Sequence, residues 1–242
     1  MLKLLSAELY RLLHKKSMYI YFGALAAGYF IITFIRSGGF KEESVVNDAM
    51  TMFSLLPALA GGFLFAAIYT DDLSSKKLIT LVGYGVSKAT IVITKFVLIA
   101  LLGVIVFGIT PLYHCAVYTV LGQTITVDMT AMIYAVSLKN LLVVLAYAAL
   151  SAIVVYGLQR ATFAIVTYLL LAFGVIGGLV SVALNTFAPN LTEYLMSDIS
   201  DKILLSLITN SPPAMPLIRY IVYVLISLAL SAVAFYRKEM EF

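Results

Sequence analysis

Residues 71–95 carry side chains that could bind a charged partner, and they stand between two long apolar stretches. Asp71 and Asp72 begin the segment, Lys76, Lys77 and Lys88 follow, and Lys95 closes it inside the next apolar stretch. Such charges could contact the surface of another protein, or they could simply form a basic loop that fixes the orientation of the chain in a membrane. Which of the two applies depends on the elements that hold the segment.

No motif of an enzyme accompanies these charges. The sequence has no G-x-x-x-x-G-K-[ST], so we expect no ATP binding of the P-loop kind, and it has no G-x-S-x-G, H-E-x-x-H or paired cysteines. The single cysteine, Cys115, cannot form an internal disulfide. We therefore expect no catalytic residue, no metal site and no cofactor in this chain.

The remaining titratable residues do not form a catalytic set either. The two histidines, His14 and His114, are predicted on opposite sides of the membrane, so they cannot share a metal. Glu42 and Glu43 resemble part of a membrane glutamate protease, but the arginine and the spaced histidines of such a site are missing.

The composition is that of an integral membrane protein. Of 242 residues, 62 % are hydrophobic and only 12 % are charged, whereas a soluble domain of this length has much more charge on its surface. The net charge of +4 fits basic flanks beside a membrane and does not indicate nucleic-acid binding.

Six apolar stretches are long enough to cross a bilayer, so we predict an all-α membrane fold. The predicted spans cover residues 18–35, 49–69, 89–112, 140–158, 162–184 and 217–236. Pro57 and Gly61-Gly62 in the second span permit a kink or close helix packing, and Gly174 and Gly177-Gly178 are predicted to interrupt the fifth. A mixed loop is predicted over residues 113–138. Its middle, residues 123–128, alternates weakly and could be extended.

Two amphipathic segments are predicted outside the spans. Leucines and charged residues separate onto opposite sides of a helix over residues 2–16, which predicts an interfacial helix and divides the chain into residues 1–16 and a membrane domain, 17–242. The polar side of that helix comprises Lys3, Glu8, Arg11, His14 and Lys15. Residues 185–216 contain apolar clusters, so short interfacial or re-entrant helices are expected there.

The distribution of basic residues predicts the orientation. With six spans both termini lie on one side, and that side carries eleven of the 16 lysines and arginines against five on the other. The richer side holds Lys3, Arg11, Lys15, Lys16, Lys76, Lys77, Lys88, Lys95, Arg160, Arg237 and Lys238. Since cytoplasmic loops carry the excess of lysine and arginine, both termini are predicted to be cytoplasmic.

The segment at residues 71–95 would then lie on the cytoplasmic face between the second and third spans. Leu78, Leu81 and Val82 fall at helical spacing, which predicts a short helix with one apolar face. The acids and serines before it are typical of a helix start, and Ser87 could cap the next helix. The glycines at 83 and 85 would turn the chain back towards the bilayer.

These features resemble the first cytoplasmic loop of the ABC-2 type permeases, the membrane subunits of a class of ABC exporters. That loop opens with an acid, closes with Gly, a small residue and Ser-Lys, and has a lysine in the next span; here these are Asp72, residues 83–85, Ser87-Lys88 and Lys95. The family often has Gly-Thr at the helix start and Pro before the Ser, where this chain has Ser74-Ser75 and Val86. An elbow helix before the first span and a re-entrant hairpin between the last two are also similar to that family.

The resemblance implies that this loop is a coupling helix that docks into a cleft of a separate ATPase. The residues expected to make that contact are Asp72, Lys76, Lys77, Leu78, Leu81, Val82, Tyr84, Ser87 and Lys88. It further implies two membrane subunits, identical or related, with two cytosolic ATPases that bind the ATP and magnesium. Small bacterial members export, or give immunity to, antimicrobial and toxin peptides, which implies a hydrophobic or amphipathic cargo and a bacterial cell membrane.

Few polar side chains fall inside the spans. Thr33, Ser54, Thr94 and Lys95 are the candidates for a substrate pathway, although Lys95 stands near a span end and is expected to snorkel to the headgroups. A secondary transporter or channel is the first alternative, but all twelve acids are predicted outside the spans, which removes the usual ion-coupling group. A membrane assembly protein that transports nothing is the second alternative.

Overall fold

The computed structural model describes residues 1–36, 44–74, 77–209 and 211–238, and all regular structure in these ranges is helical. The α-helices, in chain order, are α1 Leu2–Leu13, α2 Lys16–Arg36, α3 Ser44–Phe53, α4 Gly62–Ser74, α5 Lys77–Gly83, α6 Lys88–Val120, α7 Val127–Leu158, α8 Ala161–Ala172, α9 Val175–Phe187, α10 Met196–Ile208 and α11 Ala214–Arg237. A π-helical turn, Pro57–Gly61, precedes α4, and a 3-10 helix, Pro189–Tyr194, precedes α10.

The prediction of an all-α, multi-span membrane protein is confirmed. Five segments are long and apolar enough to cross a membrane, and a sixth is obtained if the bent pair α8–α9 is counted as one span. The five are Lys16–Ile35, Val45–Thr70, Lys88–Val120, Val127–Leu158 and Ala214–Arg237.

Contacts along the helices place the two ends of the described chain at the same end of the bundle. Lys88, the first residue of α6, donates hydrogen bonds to the backbone oxygens of Phe235 and Lys238 at the end of α11, at 2.8 and 3.1 Å. Near its beginning α11 contacts α7, where the Tyr220 hydroxyl donates to the Leu142 carbonyl. The segment from α8 to α10 therefore carries the chain from one end of the bundle to the other.

The prediction of a loop over residues 113–138 is wrong. The α6 and α7 helices extend into this range and leave only residues 121–126 between them. The extended part of α6 is stabilised because its polar side chains form hydrogen bonds with other helices. His114 contacts residues of α2 and α3, and Tyr118 contacts a residue of α3. Gly122 turns the chain at φ +83°, and residues 123–126 form no strand. Thr126 caps α7 by accepting from the Met129 amide.

The second span is broken where its proline and glycine predicted a kink. Pro57 has no amide proton to donate, and the chain passes through the wide turn Pro57–Gly61 before α4 begins. The Pro57 carbonyl accepts a hydrogen bond from the Tyr168 hydroxyl at 2.9 Å. Gly61 packs so closely on Tyr168 and Val144 that a Cβ would lie 2.7 Å from Val144 Cγ2, which confirms the prediction of close packing.

The fifth predicted span is bent by 59° between α8 and α9. Gly174 stands at the bend with φ +75°, a backbone conformation that favours glycine. Beyond it α9 buries no side chain, whereas α10 packs Met196, Ile199 and Ile203 against α7 and α11. Residues 189–208 are thus helical, as the apolar clusters predicted.

The predicted faces of α1 need a correction. Glu8, assigned to the polar side, is buried together with Leu12, whereas Leu2 from the apolar side is exposed. The reason is electrostatic, because Glu8 meets positive charges of α5 and α6 that the periodicity of α1 cannot reveal. The buried face of α1 is thereby tied to α5 and α6.

Candidate functional site

Five charged side chains from four helices meet in the interior at the end of the bundle that holds both chain ends. This charge cluster consists of Glu8, Arg11, Asp72, Lys77 and Lys95. The α1 helix supplies Glu8 and Arg11, which face the same way because they are three residues apart. The other members come from the last turn of α4, the first residue of α5 and the second turn of α6.

The two carboxylates share the three cations. Glu8 Oε2 lies 2.8 Å from Arg11 Nη2 and 3.1 Å from Lys95 Nζ, and Glu8 Oε1 accepts from Lys77 Nζ. Asp72 Oδ2 pairs with Lys95 Nζ, and Asp72 Oδ1 lies 3.3 Å from Arg11 Nη2 and 3.8 Å from Lys77 Nζ. Each acid therefore contacts all three bases.

The inner part of the charge cluster is shielded from solvent. Lys95 is 0 % exposed, and the side chains of Glu8 and Asp72 are 1 % exposed, whereas Arg11 and Lys77 reach the surface. The expectation that Lys95 snorkels to the headgroups is therefore wrong, because two carboxylates neutralise its ammonium group inside the protein. Removing one member of such a buried pair leaves an unpaired charge and costs about 3–5 kcal/mol.

Burial by itself would raise the pKa of the Glu8 carboxyl. The positive charge of Lys95 opposes it, as do hydrogen bonds from Lys77 and Lys95 and the charge of Arg11, and together these lower the pKa of Glu8 below its ordinary value. Glu8 is therefore ionised at neutral pH, and the charge cluster holds two negative and three positive charges.

The short helix predicted between the second and third spans is present as α5, but it begins later than expected. Asp71 and Asp72 belong to the last turn of α4, so they do not begin the short helix, and Lys76 lies outside the described residues. Leu78 is only 5 % exposed and packs in the protein's own core, with Leu81 and Val82 half-buried against it. The apolar face of α5 thus packs within this chain, and the expectation that Leu78, Leu81 and Val82 fill a partner's cleft stays a prediction.

The residues that follow α5 are exposed. Tyr84 exposes 82 % of its surface, just before Gly85 turns the chain at φ +81°. Ser87 caps α6, as predicted, by accepting a hydrogen bond from the Thr90 amide at 3.2 Å. Lys88 is directed to the end of α11, so its amine is engaged within the chain.

The four polar residues considered for a pathway are not brought together. Thr94, the residue before Lys95, is buried, and its hydroxyl has no hydrogen-bond partner among the described residues. Ser54 is exposed at the break in the second span and donates to the Thr51 carbonyl. Thr33 is buried near the end of α2 and contacts Tyr29. They therefore outline no common channel.

A second buried polar group lies far along α6 from the charge cluster. His114 is nineteen residues beyond Lys95, which is about 28 Å of helix. Its Nδ1 contacts the Tyr29 hydroxyl, and its Nε2 lies 3.1 Å from the Val45 carbonyl. Because a carbonyl can only accept, Nε2 carries the proton, and Tyr29 donates to Nδ1. Nearby, Tyr118 donates to Asp48 Oδ2 at 2.9 Å.

This second group corrects an expectation about the acids. Two carboxylates lie within candidate spans: Asp48, which is buried in Val45–Thr70, and Asp128, in the first turn of Val127–Leu158. The sequence held one indication, since residues 113–120 are apolar apart from His114 and Thr119 and could have extended the third span to include the histidine.

The chain matches no protein-family model, and no curated protein matches it in sequence.

Proposed function

We propose that this chain is the membrane-spanning permease subunit of an ATP-driven exporter, and that a separate cytosolic ATPase supplies the energy. Two permease subunits, identical or related, would form the pathway in a bacterial cell membrane, with both chain ends in the cytoplasm. The cargo would be a hydrophobic or amphipathic molecule, with a toxin or antimicrobial peptide as the leading candidate.

The observation that carries the proposal is the attachment of α5 to α1 and α6 through the charge cluster. A short helix between two spans can pass on a push only if it is fixed to the spans that must move. Lys77 fixes the beginning of α5 to Glu8 and Asp72, and Leu78 fixes its first turn to the core. Movement of α5 would therefore be transmitted to α1, α4 and α6 together.

Because the apolar face of α5 packs within this chain, we propose that the ATPase contacts the exposed residues of α5 and of the turn that follows it. Thr80 and Tyr84 are exposed on α5 and just beyond it, and Ser87 is exposed at the cap of α6. An exposed tyrosine next to a glycine turn has the size and amphipathic character of an interface anchor. We propose Tyr84 as the central contact of the docking surface.

The test is affinity purification of the detergent-solubilised protein from its native host, with identification of the proteins that come with it. We expect the wild type to be purified with a P-loop ATPase in near-equal amount, and we expect this ATPase to be missing from the preparation of the variant Tyr84→Glu. Tyr236→Glu is the matched control, since Tyr236 is an exposed tyrosine at the same end of the bundle. A preparation of the wild type without any ATPase would contradict the exporter function.

A proton-coupled carrier is the second candidate, and Asp48 and His114 favour it. Buried acids and histidines inside spans are the groups that carriers use to take up a coupling ion. Here the two residues lie in neighbouring spans and are joined by ring contacts and hydrogen bonds through Tyr118. A proton arriving at His114 would break the donation from Tyr29, because Nδ1 could no longer accept.

Reconstitution without any ATPase distinguishes the two candidates. Vesicles that contain a proton-coupled carrier would change their internal pH when its substrate is added, and Asp48→Asn would abolish this change. Vesicles that contain an exporter subunit without its ATPase would show no change in internal pH. Asp198→Asn serves as the control, because Asp198 lies in the first turn of α10, away from the His114 group.

A further inference from the structure

A long apolar crevice runs between α2 and α6, and none of the charge-cluster residues lines it. It has a volume of about 440 Å³, within the range of about 300–1,000 Å³ typical of small-molecule sites. Met18, Leu56 and Leu102 are buried at its floor. Ile105 and Ile109 are exposed at its rim, so the crevice opens sideways from the bundle.

The length of the crevice corresponds to one leaflet of a bilayer. It extends along α2 from Met18 to Tyr29 and along α6 from Leu102 to Tyr113. Each stretch advances eleven residues, or about 16 Å at the rise of an α-helix. The hydrocarbon core of a bilayer is about 30 Å thick, so one leaflet contributes about half of it.

The surroundings of the crevice determine what can fill it. Both helices are candidate membrane spans, and the exposed isoleucines at the rim would face hydrocarbon. Water does not occupy an apolar space of this kind, because it would find too few hydrogen-bond partners. An acyl chain entering from the side would meet only apolar side chains and a few tyrosine and threonine groups.

One end of the crevice is basic. Leu13, Met18 and Tyr19 line this end, and Lys15 and Lys16 lie between them in the turn from α1 to α2. Lys16 is exposed. The single acid in the first 36 residues is Glu8, and its charge is already engaged by Lys77 and Lys95 in the charge cluster. A negative headgroup would therefore be attracted to this end.

We propose that the crevice binds one acyl chain of a phospholipid with an anionic headgroup, and that the lipid phosphate lies at Lys16. The site would keep α2 attached to the bundle, because most of α2 is exposed at the surface of the chain. This inference does not depend on the proposed function, since it holds equally for an exporter, a carrier or an assembly protein.

Gly23 and Gly28 provide a matched pair of variants. Gly23 lines the crevice, and a Cβ placed there has no other atom within 4 Å. The side chain in Gly23→Leu would therefore occupy the crevice without displacing the protein. Gly28 lies on the same helix, is equally free of neighbours and does not line the crevice, so Gly28→Leu tests for general effects of a leucine on α2.

The experiment is native mass spectrometry of protein released from nanodiscs. The nanodiscs contain equal amounts of phosphatidylglycerol and phosphatidylcholine, and the two lipids carry the same acyl chains. We expect wild type and Gly28→Leu to retain phosphatidylglycerol in preference to phosphatidylcholine, and Gly23→Leu to lose the retained lipid. Lys16→Glu should reduce the preference at least about fivefold, the equivalent of about 1 kcal/mol for a lysine beside a charged headgroup. Lys3→Glu, an exposed lysine of α1, should leave the preference unchanged.

Three results would overturn the proposal. Equal retention by Gly23→Leu and wild type would show that the lipid binds elsewhere. If Gly23→Leu loses the retained lipid but wild type shows no preference for phosphatidylglycerol, the crevice binds an acyl chain without recognising the headgroup. Conversion of a dimer to a monomer by Gly23→Leu, with lipid retention unchanged, would identify the crevice as an interface between copies of the chain. The measurement needs no ATPase, so it fails or succeeds independently of the exporter function.

Discussion

Lys95 Nζ lies 3.1 Å from Glu8 Oε2, so a lysine within a predicted span is neutralised by an acid from the N-terminal helix. Along the chain, α2, α3, α4 and α5 lie between the two residues. Asp72 completes the pairing from the end of α4. The contact attaches the face of α1 that carries Glu8 and Leu12 to the rest of the bundle.

Removing the ammonium group of Lys95 should be strongly destabilising. In Lys95→Met, Glu8 and Asp72 lose their buried cation, and we expect a loss of about 3–5 kcal/mol in the free energy of unfolding. Thermal unfolding in detergent measures the effect as a lowered Tm. Lys3→Met is the control, because an exposed lysine should change stability by no more than about 0.5 kcal/mol.

The double variant Lys95→Met/Asp72→Asn should lose less stability than the sum of its two single variants. Each single change leaves a buried charge without one of its partners, whereas the double change removes both members of one pair. A coupling of about 0.5–3 kcal/mol is expected for residues in direct contact. Strict additivity in the same unfolding measurement would contradict the pairing of Lys95 with Asp72.

The stability of the protein should fall in acid because of Glu8. The pKa of Glu8 is lowered in the folded state, so its contribution is fully present above the pKa of the unfolded chain and is lost as the pH falls through the folded value. We expect the Tm of wild type to decrease between neutral pH and about pH 3. The Tm of Glu8→Gln should be lower at neutral pH and should change less with acid; an identical pH profile for the two proteins would refute the role of Glu8.

Gly61→Ala should destabilise the broken second span. A Cβ at this position would stand 2.7 Å from Val144 Cγ2 and would also meet the Tyr168 hydroxyl, so overpacking of about 1–3 kcal/mol is expected. Gly28→Ala is the control, since nothing lies within 4 Å of a Cβ there. A Tm for Gly61→Ala equal to that of Gly28→Ala would show that the two helices can separate at no cost.

Gly174→Ala should destabilise the bend between α8 and α9. Its φ of +75° costs an L-residue about 1–2 kcal/mol, although the space around it is open. Gly177→Ala, a few residues further along in α9, should instead be neutral or stabilising by up to about 1 kcal/mol, because alanine is the better helix former. Opposite shifts in Tm for the two variants would establish that the bend requires a positive φ.

Local features of the sequence were sufficient for much of the fold. Hydrophobicity over long windows determined that the chain is helical and crosses a membrane several times. Pro57 and Gly61 indicated the interruption of the second span, Gly174 indicated the bend of the fifth, and Ser87 indicated the start of α6. The prediction that Gly177-Gly178 also interrupt the fifth span was wrong, because both glycines lie inside α9. The prediction of a loop at residues 113–138 was wrong because polar residues in a sequence indicate exposure. In the structure, His114 and Tyr118 form hydrogen bonds with residues of helices that are distant in the chain.

The tertiary structure alone decided which charges meet. The sequence presents Glu8 as one of several charges on an amphipathic helix and Lys95 as a lysine near a span end, and either could have remained in water. Their burial requires that α1, α4, α5 and α6 converge, and the free energy of an ion pair depends on distances between residues far apart in the chain. Periodicity reports which face of a helix is apolar, but it cannot report which opposite charge lies across from it.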